Sequence, residues 1–285
     1  MTVTIDHFQY CLDQLRRFDH VRYLAILLTP VNVRASLCAL YAFEAEMARI
    51  PHSVSEPMLG EIRYQWWRET LEKMRPGEEP SHEIAGAVCE TFVGSGVDPS
   101  ALIPLIDRRA LELSEDPFDT LDELVAHVGQ VAILGVELAF QLAGQKAQYE
   151  ASKEAIGKIV TGYGIISHVR RLPIDASRLR LGLPLDLMGK YEIDPHDVFG
   201  AIIRPGFSAA LGEMLERANL LFREGRDAAG HMSPDLLAIL LPTSLTPLYV
   251  NRLRRSNFDL FRQSSEIPAF RRQMRYLNVR WRRRL

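Results

Sequence analysis

Few residues in this 285-residue chain have the types and spacing of a familiar catalytic or metal site. The eight histidines show neither HxxxH nor HExxH spacing, so the minimal pattern of a zinc site is missing. Neither the GxSxG turn of serine hydrolases nor the GxxxxGKS/T phosphate loop occurs. Cys11, Cys38 and Cys89 form no CxxC pair, which predicts buried, reduced thiols in an intracellular protein. Candidate chemistry must therefore be sought in less common patterns.

Two stretches of sequence are specific when they are taken together. The first, LCALYAFEAEMARIPHSVSE (37–56), is followed by IRYQWWRETLE (62–72), and the second is GYGIISHVRRLPIDASRLRLGLPLDLM (162–188). Their order and spacing resemble the squalene/phytoene synthase family from about Tyr23 to the C-terminus. The resemblance implies the all-α isoprenoid synthase fold, a helical bundle around a central apolar pocket.

The resemblance also implies a chemistry that this sequence has largely lost. In the family, two aspartate motifs on facing helices hold Mg²⁺ ions, which bind and ionise an allylic diphosphate. The three aspartates of the first motif fall on Ala48, Arg49 and His52, and the first aspartate of the second motif falls on Arg171. Only Asp175 remains. We therefore expect no metal site, no catalytic residue and no cofactor, with Mg²⁺ required only if catalysis survives.

Further positions are marked by the same resemblance as candidates for lining a pocket or holding an anion. They are Tyr23, His127, His168, Arg178 and Arg180. His127 stands where the family usually has a tyrosine, and the two arginines form the basic stretch before a Leu-Pro turn. Glu44 and Glu46 precede the first motif by about one helical turn, where a glutamate beside Arg49 is expected to form a local ion pair.

Three functions remain open at this point. The strings VSE (54–56) and GEIRYQWW (60–67) are similar to a degenerate branch of the family that includes a mitochondrial complex I assembly factor. That similarity implies a non-catalytic protein that helps to assemble respiratory NADH:quinone oxidoreductase, with subunits or assembly proteins of that complex as partners. The alternative is a Mg²⁺-dependent head-to-head prenyltransferase. Binding of an apolar or isoprenoid ligand is a third possibility, compatible with the first.

Helices must position these residues, since apolar residues recur at helical spacing along most of the chain. Asp194 followed by Pro195 predicts one helix start, and Thr120 with Glu123 predicts a capping box at another. Only the segment 179–187 alternates with period two, and its internal glycine and proline favour an extended loop. We predict one all-α domain over residues 1–285 with roughly ten helices.

Three glycines, Gly157, Gly162 and Gly164, interrupt an otherwise good helical segment. A glycine inside a helix costs about 1 kcal/mol relative to alanine, so a close approach by a neighbouring helix or by a ligand is expected here. The first interpretation is tight helix packing, and the second is a pocket that stays partly open.

The charge of the chain is unevenly distributed. The formal net charge is −2, yet the segment 252–285 holds 11 arginines and only two acidic residues, a balance of +9. Basic and apolar residues are interleaved over 270–285, which predicts a helix on the surface of an anionic membrane rather than a nucleic-acid site. The longest uncharged run, 236–251, has 16 residues and two prolines, fewer than the roughly 20 that span a bilayer. We expect a cytoplasmic protein with peripheral contact at the inner face of the membrane, which corresponds to the matrix side for a eukaryotic homologue.

Overall fold

The computed structural model describes residues 6–75, 77, 80–230 and 234–285. These residues form fourteen α-helices and three short 3-10 helices and contain no β-strand, which confirms the predicted all-α class. The first seven helices are α1 (His7–Phe18), α2 (His20–Leu27), α3 (Val31–Ser53), α4 (Pro57–Lys73), α5 (Glu83–Gly94), α6 (Ile103–Ala110) and α7 (Leu121–Leu142). The others are α8 (Lys146–Ala176), α9 (Leu185–Lys190), α10 (Pro195–Phe199), α11 (Pro205–Ala229), α12 (Pro234–Leu240), α13 (Thr246–Arg255) and α14 (Ala269–Arg282).

The contacts of the chain separate into two compact units. Unit 1 comprises Met1–Leu113, Leu134–Ala151 and Ser233–Pro242, and unit 2 comprises Ser114–Ile133, Ser152–Met232 and Thr243–Leu285. The long helices α7 and α8 each contribute residues to both units. The division into two units does not test whether residues 1–285 form a single domain, and the single domain stays a prediction.

In unit 1, α1, α3 and α5 pack against one another. The central part of α3 is apolar all round, and every residue from Ser36 to Glu44 is buried. Trp67 of α4 meets Phe43 edge-on, with ring centroids 5.1 Å apart. Tyr64 donates its hydroxyl hydrogen to the Met47 carbonyl at 3.0 Å. The aromatic residues of the 62–72 stretch therefore fix α4 against α3.

In unit 2, α8 and α11 approach each other closely through glycines on both helices. A Cβ on Gly162 of α8 would lie 2.6 Å from the Ala218 carbonyl oxygen of α11, and a Cβ on Gly225 of α11 would lie 2.5 Å from the Ala155 carbonyl oxygen of α8. Gly164 meets the Val128 carbonyl oxygen in the same way at 3.2 Å. These distances favour tight packing as the role of Gly162 and Gly164. Gly157 has only ordinary contact, 3.6 Å from Ile133.

The predicted helix starts are found in the structure. Asp194 accepts the His196 amide hydrogen at 2.8 Å at the start of α10, and Thr120 Oγ1 accepts the Glu123 amide hydrogen at 3.2 Å at the start of α7. The expected loop over 179–187 ends early, since α9 begins at Leu185. Its helix can form because Pro184 sets the backbone angle at the N-cap and the apolar Leu187 and Met188 are buried.

The run 236–251 does not form one continuous helix, because it is divided among α12, a 3-10 helix and α13. By length and composition, the described helix that could cross a membrane is α7, and half of its most apolar stretch is buried. The core helix of a folded domain can have the same length and apolar composition.

Candidate functional site

The positions of the first family motif lie on α3, in unit 1. Arg49 pairs with Glu46 one turn earlier, at 3.1 Å between Nη1 and Oε2. Its guanidinium also lies 3.7 Å from the centre of the Phe18 ring of α1. Ala48 and His52 are half-buried on the same helix. The ion pair expected for a glutamate beside Arg49 is therefore present, and Arg49 is engaged within unit 1.

Glu44, one turn before this motif, carries a buried carboxylate. It pairs with Arg22 of α2, whose guanidinium lies 4.8 Å from the centre of the Tyr41 ring. The other carboxylate oxygen faces Gly135 of α7, where a Cβ would lie 2.1 Å away. Arg22 is also 3.7 Å from Asp19. Because the carboxylate is buried, losing its arginine would leave an uncompensated charge.

Burial also shifts the pKa of groups near this cluster. Desolvation raises the pKa of the Tyr41 hydroxyl, with the Arg22 charge opposing the shift. The Tyr41 hydroxyl donates its hydrogen to the Ile239 carbonyl at 3.2 Å. Burial raises the pKa of the Cys11 thiol to about 12. Cys11, Cys38 and Cys89 are all buried, as the sequence predicts, and form no disulfide. Burial also raises the pKa of the Cys38 thiol, so neither Cys11 nor Cys38 has the lowered pKa of a reactive thiol.

The positions of the second motif lie on α8, in unit 2. His168 Nε2 donates to the Gly182 carbonyl at 2.7 Å, and Arg171 Nη2 lies 3.5 Å from the other ring nitrogen. Arg171 Nε lies 3.7 Å from Asp175 Oδ2, one turn further along the helix. His168 and Asp175 are each 6% exposed. The one aspartate that remains in this motif is thus held beside a cation that occupies the position of the motif's first aspartate.

The turn after α8 is folded back onto this cluster. The Asp175 carbonyl accepts the amide hydrogens of Arg178 and Arg180, both at 3.0 Å. The Arg180 guanidinium donates to the Ser114 carbonyl at 2.8 Å, while the Arg178 side chain is exposed. A Cβ on Gly182 would lie 2.4 Å from Leu172 Cδ2, so a side chain at this position would require Leu172 to shift. Of the two arginines predicted to hold an anion, Arg178 is the more accessible.

The remaining candidates lie in different units. His127 of α7 belongs to unit 2, is 8% exposed, and its ring centre lies 5.2 Å from that of Phe118. Tyr23 of α2 belongs to unit 1, and its ring centre lies 5.4 Å from that of His20, with the two rings tilted by 43°. The ten predicted positions therefore form two separate sets, Tyr23, Ala48, Arg49 and His52 in unit 1 and His127, His168, Arg171, Asp175, Arg178 and Arg180 in unit 2.

The donor set of the two motifs does not fit Mg²⁺, which prefers several oxygen ligands in octahedral geometry. Ala48, Arg49 and Arg171 offer no ligand atom for a hard cation, and Asp175 is a single carboxylate beside an arginine. In the part of the chain that the structure describes, no group of three or more histidine, cysteine, aspartate or glutamate side chains could hold a metal ion.

The family described as squalene/phytoene synthase matches residues 15–276. The chain belongs to the squalene/phytoene synthase family. Among solved structures of similar fold is a dehydrosqualene synthase, with a TM-score of 0.80, 15% identity and coverage of 97% of this chain and 96% of the other. A squalene synthase from Alicyclobacillus acidocaldarius has a TM-score of 0.73 at 16% identity, covering 88% and 94%. The isoprenoid-synthase-like fold expected from the sequence is confirmed.

Curated relatives fall into two groups. Proteins of Rattus norvegicus and Homo sapiens named NADH dehydrogenase (ubiquinone) complex I, assembly factor 6, are each 25% identical to this chain over 259 residues, which is 91% of this chain and 77% of the relative. The 15-cis-phytoene synthase of Synechococcus elongatus is 20% identical over 279 residues, which is 93% of this chain and 89% of the relative. Relatives of both groups therefore align along nearly the whole chain.

Sequence reasoning missed two charged clusters. Arg22 and Glu44 are 22 residues apart on different helices, and no local sequence pattern predicts their ion pair. Glu266 pairs with Arg170 of α8 and with Arg272 of α14 in unit 2. A signal for the second cluster exists, because Glu266 is one of only two acidic residues in the arginine-rich segment 252–285.

Proposed function

We propose that this member of the squalene/phytoene synthase family is a non-catalytic protein that acts in the assembly of respiratory NADH:quinone oxidoreductase, complex I. One observation carries the non-catalytic part. Arg171 occupies the position of a metal-binding aspartate and lies 3.7 Å from Asp175, the remaining carboxylate of that motif. The positive charge of Arg171 repels Mg²⁺, and it lies beside the Asp175 oxygen that would bind the metal ion.

The first motif supports the same conclusion from different residues. Ala48, Arg49 and His52 replace all three aspartates, and Arg49 is already paired with Glu46 and stacked on Phe18. Glu44 does not supply a substitute ligand, since its carboxylate is buried and paired with Arg22. Without metal ions the negative charge of a diphosphate leaving group has no counter-ion, and its departure is not assisted.

The assembly role rests on the relatives named complex I assembly factor 6, which align over 91% of this chain. Subunits or assembly proteins of that complex are the proposed partners. The proposed place of action is the face of the membrane where the peripheral part of the complex is built, the cytoplasmic face in a bacterium or the matrix face in a mitochondrion.

Deletion of the gene in the source organism tests the assembly role. We expect NADH:quinone oxidoreductase activity of the membranes to fall, whereas succinate:quinone oxidoreductase activity in the same membranes stays unchanged. The intact gene should restore the activity. An Asp175→Asn variant should restore it equally well, since no metal step depends on that carboxylate. Unchanged NADH oxidation in the deletion strain would contradict the proposal.

Incubation of the purified protein with farnesyl or geranylgeranyl diphosphate, Mg²⁺ and NADPH tests the catalytic alternative. We expect no squalene- or phytoene-like product. Turnover at rates usual for enzymes, about 1 s⁻¹ or more, would overturn the non-catalytic assignment, and loss of that turnover in Asp175→Asn would place the activity in the second motif.

A further inference from the structure

Helix α14 has two apolar faces, and only one of them is covered. Tyr276 and Val279 are buried within unit 2. On the opposite side, Phe270, Met274, Leu277 and Trp281 are 70%, 50%, 50% and 83% exposed. Their spacing of four, three and four residues places them on one line along the helix. We call these four residues the outer stripe. A surface helix usually presents polar side chains to water, and a contiguous apolar outer face is typical of a surface that binds a partner or a membrane.

Arginines border the outer stripe. Arg271, Arg275 and Arg282 line the same shallow groove as the stripe. A second groove of about 240 Å³ adjoins it and shares Leu248 and Arg271. Its lining adds Arg252 and Arg255, together with polar side chains and the apolar Ile267 and Pro268, and we call it the arginine groove. None of the residues that line the two grooves is acidic.

The two acidic residues of the segment 252–285 do not neutralise these arginines. Glu266 pairs with Arg170 and Arg272, and Asp259 accepts the Arg262 amide hydrogen. Arg255 and Arg271 make no ion pair with any residue in the described part of the chain. The groove therefore presents two exposed guanidinium groups with no acidic side chain in its lining, which makes it a candidate site for an anion.

A neighbouring pKa shift agrees with this excess of positive charge. Burial, together with the charges of Arg226 and Arg282, lowers the pKa of the Arg275 guanidinium. Arg275 is held by a hydrogen bond to the Ser244 carbonyl at 3.1 Å rather than by an acid. An anion bound nearby would relieve the repulsion among these cations.

We propose that α14 docks on an anionic phospholipid bilayer, with the outer stripe at the boundary between headgroups and acyl chains and lipid phosphates in the arginine groove. Guanidinium groups form paired hydrogen bonds with phosphate oxygens, and tryptophan is favoured at the headgroup level. Nucleic acid would match the charge but would leave the outer stripe in water. The proposal is independent of the assembly function, since it concerns only purified protein and lipid.

Co-sedimentation with vesicles of phosphatidylcholine alone, or of equal amounts of phosphatidylcholine and phosphatidylglycerol, tests the proposal. We expect the intact protein to bind the anionic vesicles more tightly and to lose most of that binding at high salt. Because each basic residue near an anionic surface contributes about 1 kcal/mol, or roughly five-fold in affinity, Arg255→Gln with Arg271→Gln should weaken binding about 25-fold. Phe270→Ser with Trp281→Ser should weaken it about tenfold or more.

Matched controls change the same residue types elsewhere on the surface. Arg16→Gln with Arg108→Gln removes two exposed arginines of unit 1, and Met58→Ser with Ile62→Ser removes two exposed apolar side chains of α4. The affinity of both control variants for anionic vesicles should stay within about five-fold of that of the intact protein, which is the effect of one basic residue. Point variants are preferable to truncation before α14, which would remove the buried Tyr276 and Val279.

Three results would overturn the proposal. They are equal binding to both vesicle types, binding that the α14 variants and their controls reduce to the same extent, and no binding at all. A duplex oligonucleotide that competes with the vesicles, and whose binding depends on Arg255 and Arg271 but not on the outer stripe, would assign the surface to nucleic acid instead. Circular dichroism of each variant verifies that it is folded.

Discussion

Arg171 places a positive charge one helical turn before Asp175, a carboxylate that is only 6% exposed. Buried charges are tolerated when they are paired and are costly when the partner is removed. The same two positions would carry two carboxylates in a metal-binding member of the family. Two aspartates at these positions would need a metal ion from solution to balance their charge. In this chain the Arg171 side chain supplies the positive charge beside Asp175.

Replacing Arg171 with alanine should lower the free energy of unfolding by about 1–3 kcal/mol, because the buried Asp175 oxygen loses a charged partner. Arg178→Gln, on the exposed turn that follows, should change it by less than about 0.5 kcal/mol. Urea denaturation of the two variants measures the difference. Equal stability of both would show that the pair does not stabilise α8.

Gly135 and Gly157 offer a matched comparison within long helices. A Cβ on Gly135 would lie 2.1 Å from Glu44 Oε1, so Gly135→Ala must displace the carboxylate from Arg22 and should cost about 1–3 kcal/mol. Gly157→Ala meets nothing closer than 3.6 Å and should stabilise the helix by up to about 1 kcal/mol. Thermal unfolding of both variants gives the answer. A stabilised Gly135→Ala would mean that Glu44 can move without loss.

At the scale of elements, the pairing of α8 with α11 depends on two glycines that face backbone atoms. Gly162→Ala would bring a Cβ to 2.6 Å from the Ala218 carbonyl oxygen, and a backbone atom of a packed helix cannot move aside as a flexible side chain can. We expect a cost at or above the upper end of the about 1–3 kcal/mol usual for overpacking. Gly164→Ala, at 3.2 Å from its nearest atom, should cost less. A reversed order in chemical denaturation would contradict the packing described here.

Local patterns predict elements well where the physical cause is itself local. The caps at Asp194 and Thr120 are set by side chains that bond within three residues, and the all-α class follows from helical spacing. The face of α4 is harder to predict. Met58, Ile62 and Trp66 have helical spacing, yet they are exposed, and the buried side chains are Tyr64, Trp67 and Leu71. Both sets have helical spacing, so the sequence alone does not tell which one is covered.

Contacts between distant segments explain most of what sequence reasoning missed at the candidate site. The resemblance to a known family supplies the positions 48, 49, 52, 171 and 175, but it does not say that Arg171 turns toward Asp175 or that His168 bonds to Gly182. Rotamers and loop closure decide those contacts. The basic segment predicted over 270–285 is present, and the structure adds which of its side chains are covered by unit 2.

At the scale of the whole molecule, the binding of an apolar ligand stays a prediction that rests on the family resemblance. Gly162 and Gly164 meet neighbouring helices and therefore do not indicate open space for a ligand. If the helical bundle still encloses an apolar pocket like that of the family, a lipid, quinone or isoprenoid should co-purify with the protein. The bound compound should add its mass in native mass spectrometry. Solvent extraction of the same sample identifies the compound. Protein of the bare chain mass, with nothing extracted, would remove this prediction.

The pair of Arg171 and Asp175 also bears on how this lineage can evolve. A single reversion of Arg171 to aspartate would set two carboxylates one helical turn apart, with Arg49 and Ala48 still at the first motif and no metal to join them. Like charges at that spacing destabilise a helix, and burial of one of them increases the penalty. Such a variant should therefore be less stable than the intact chain, while the first motif would still lack its aspartates. A return to two aspartates in the second motif, made one substitution at a time, would therefore pass through a less stable protein.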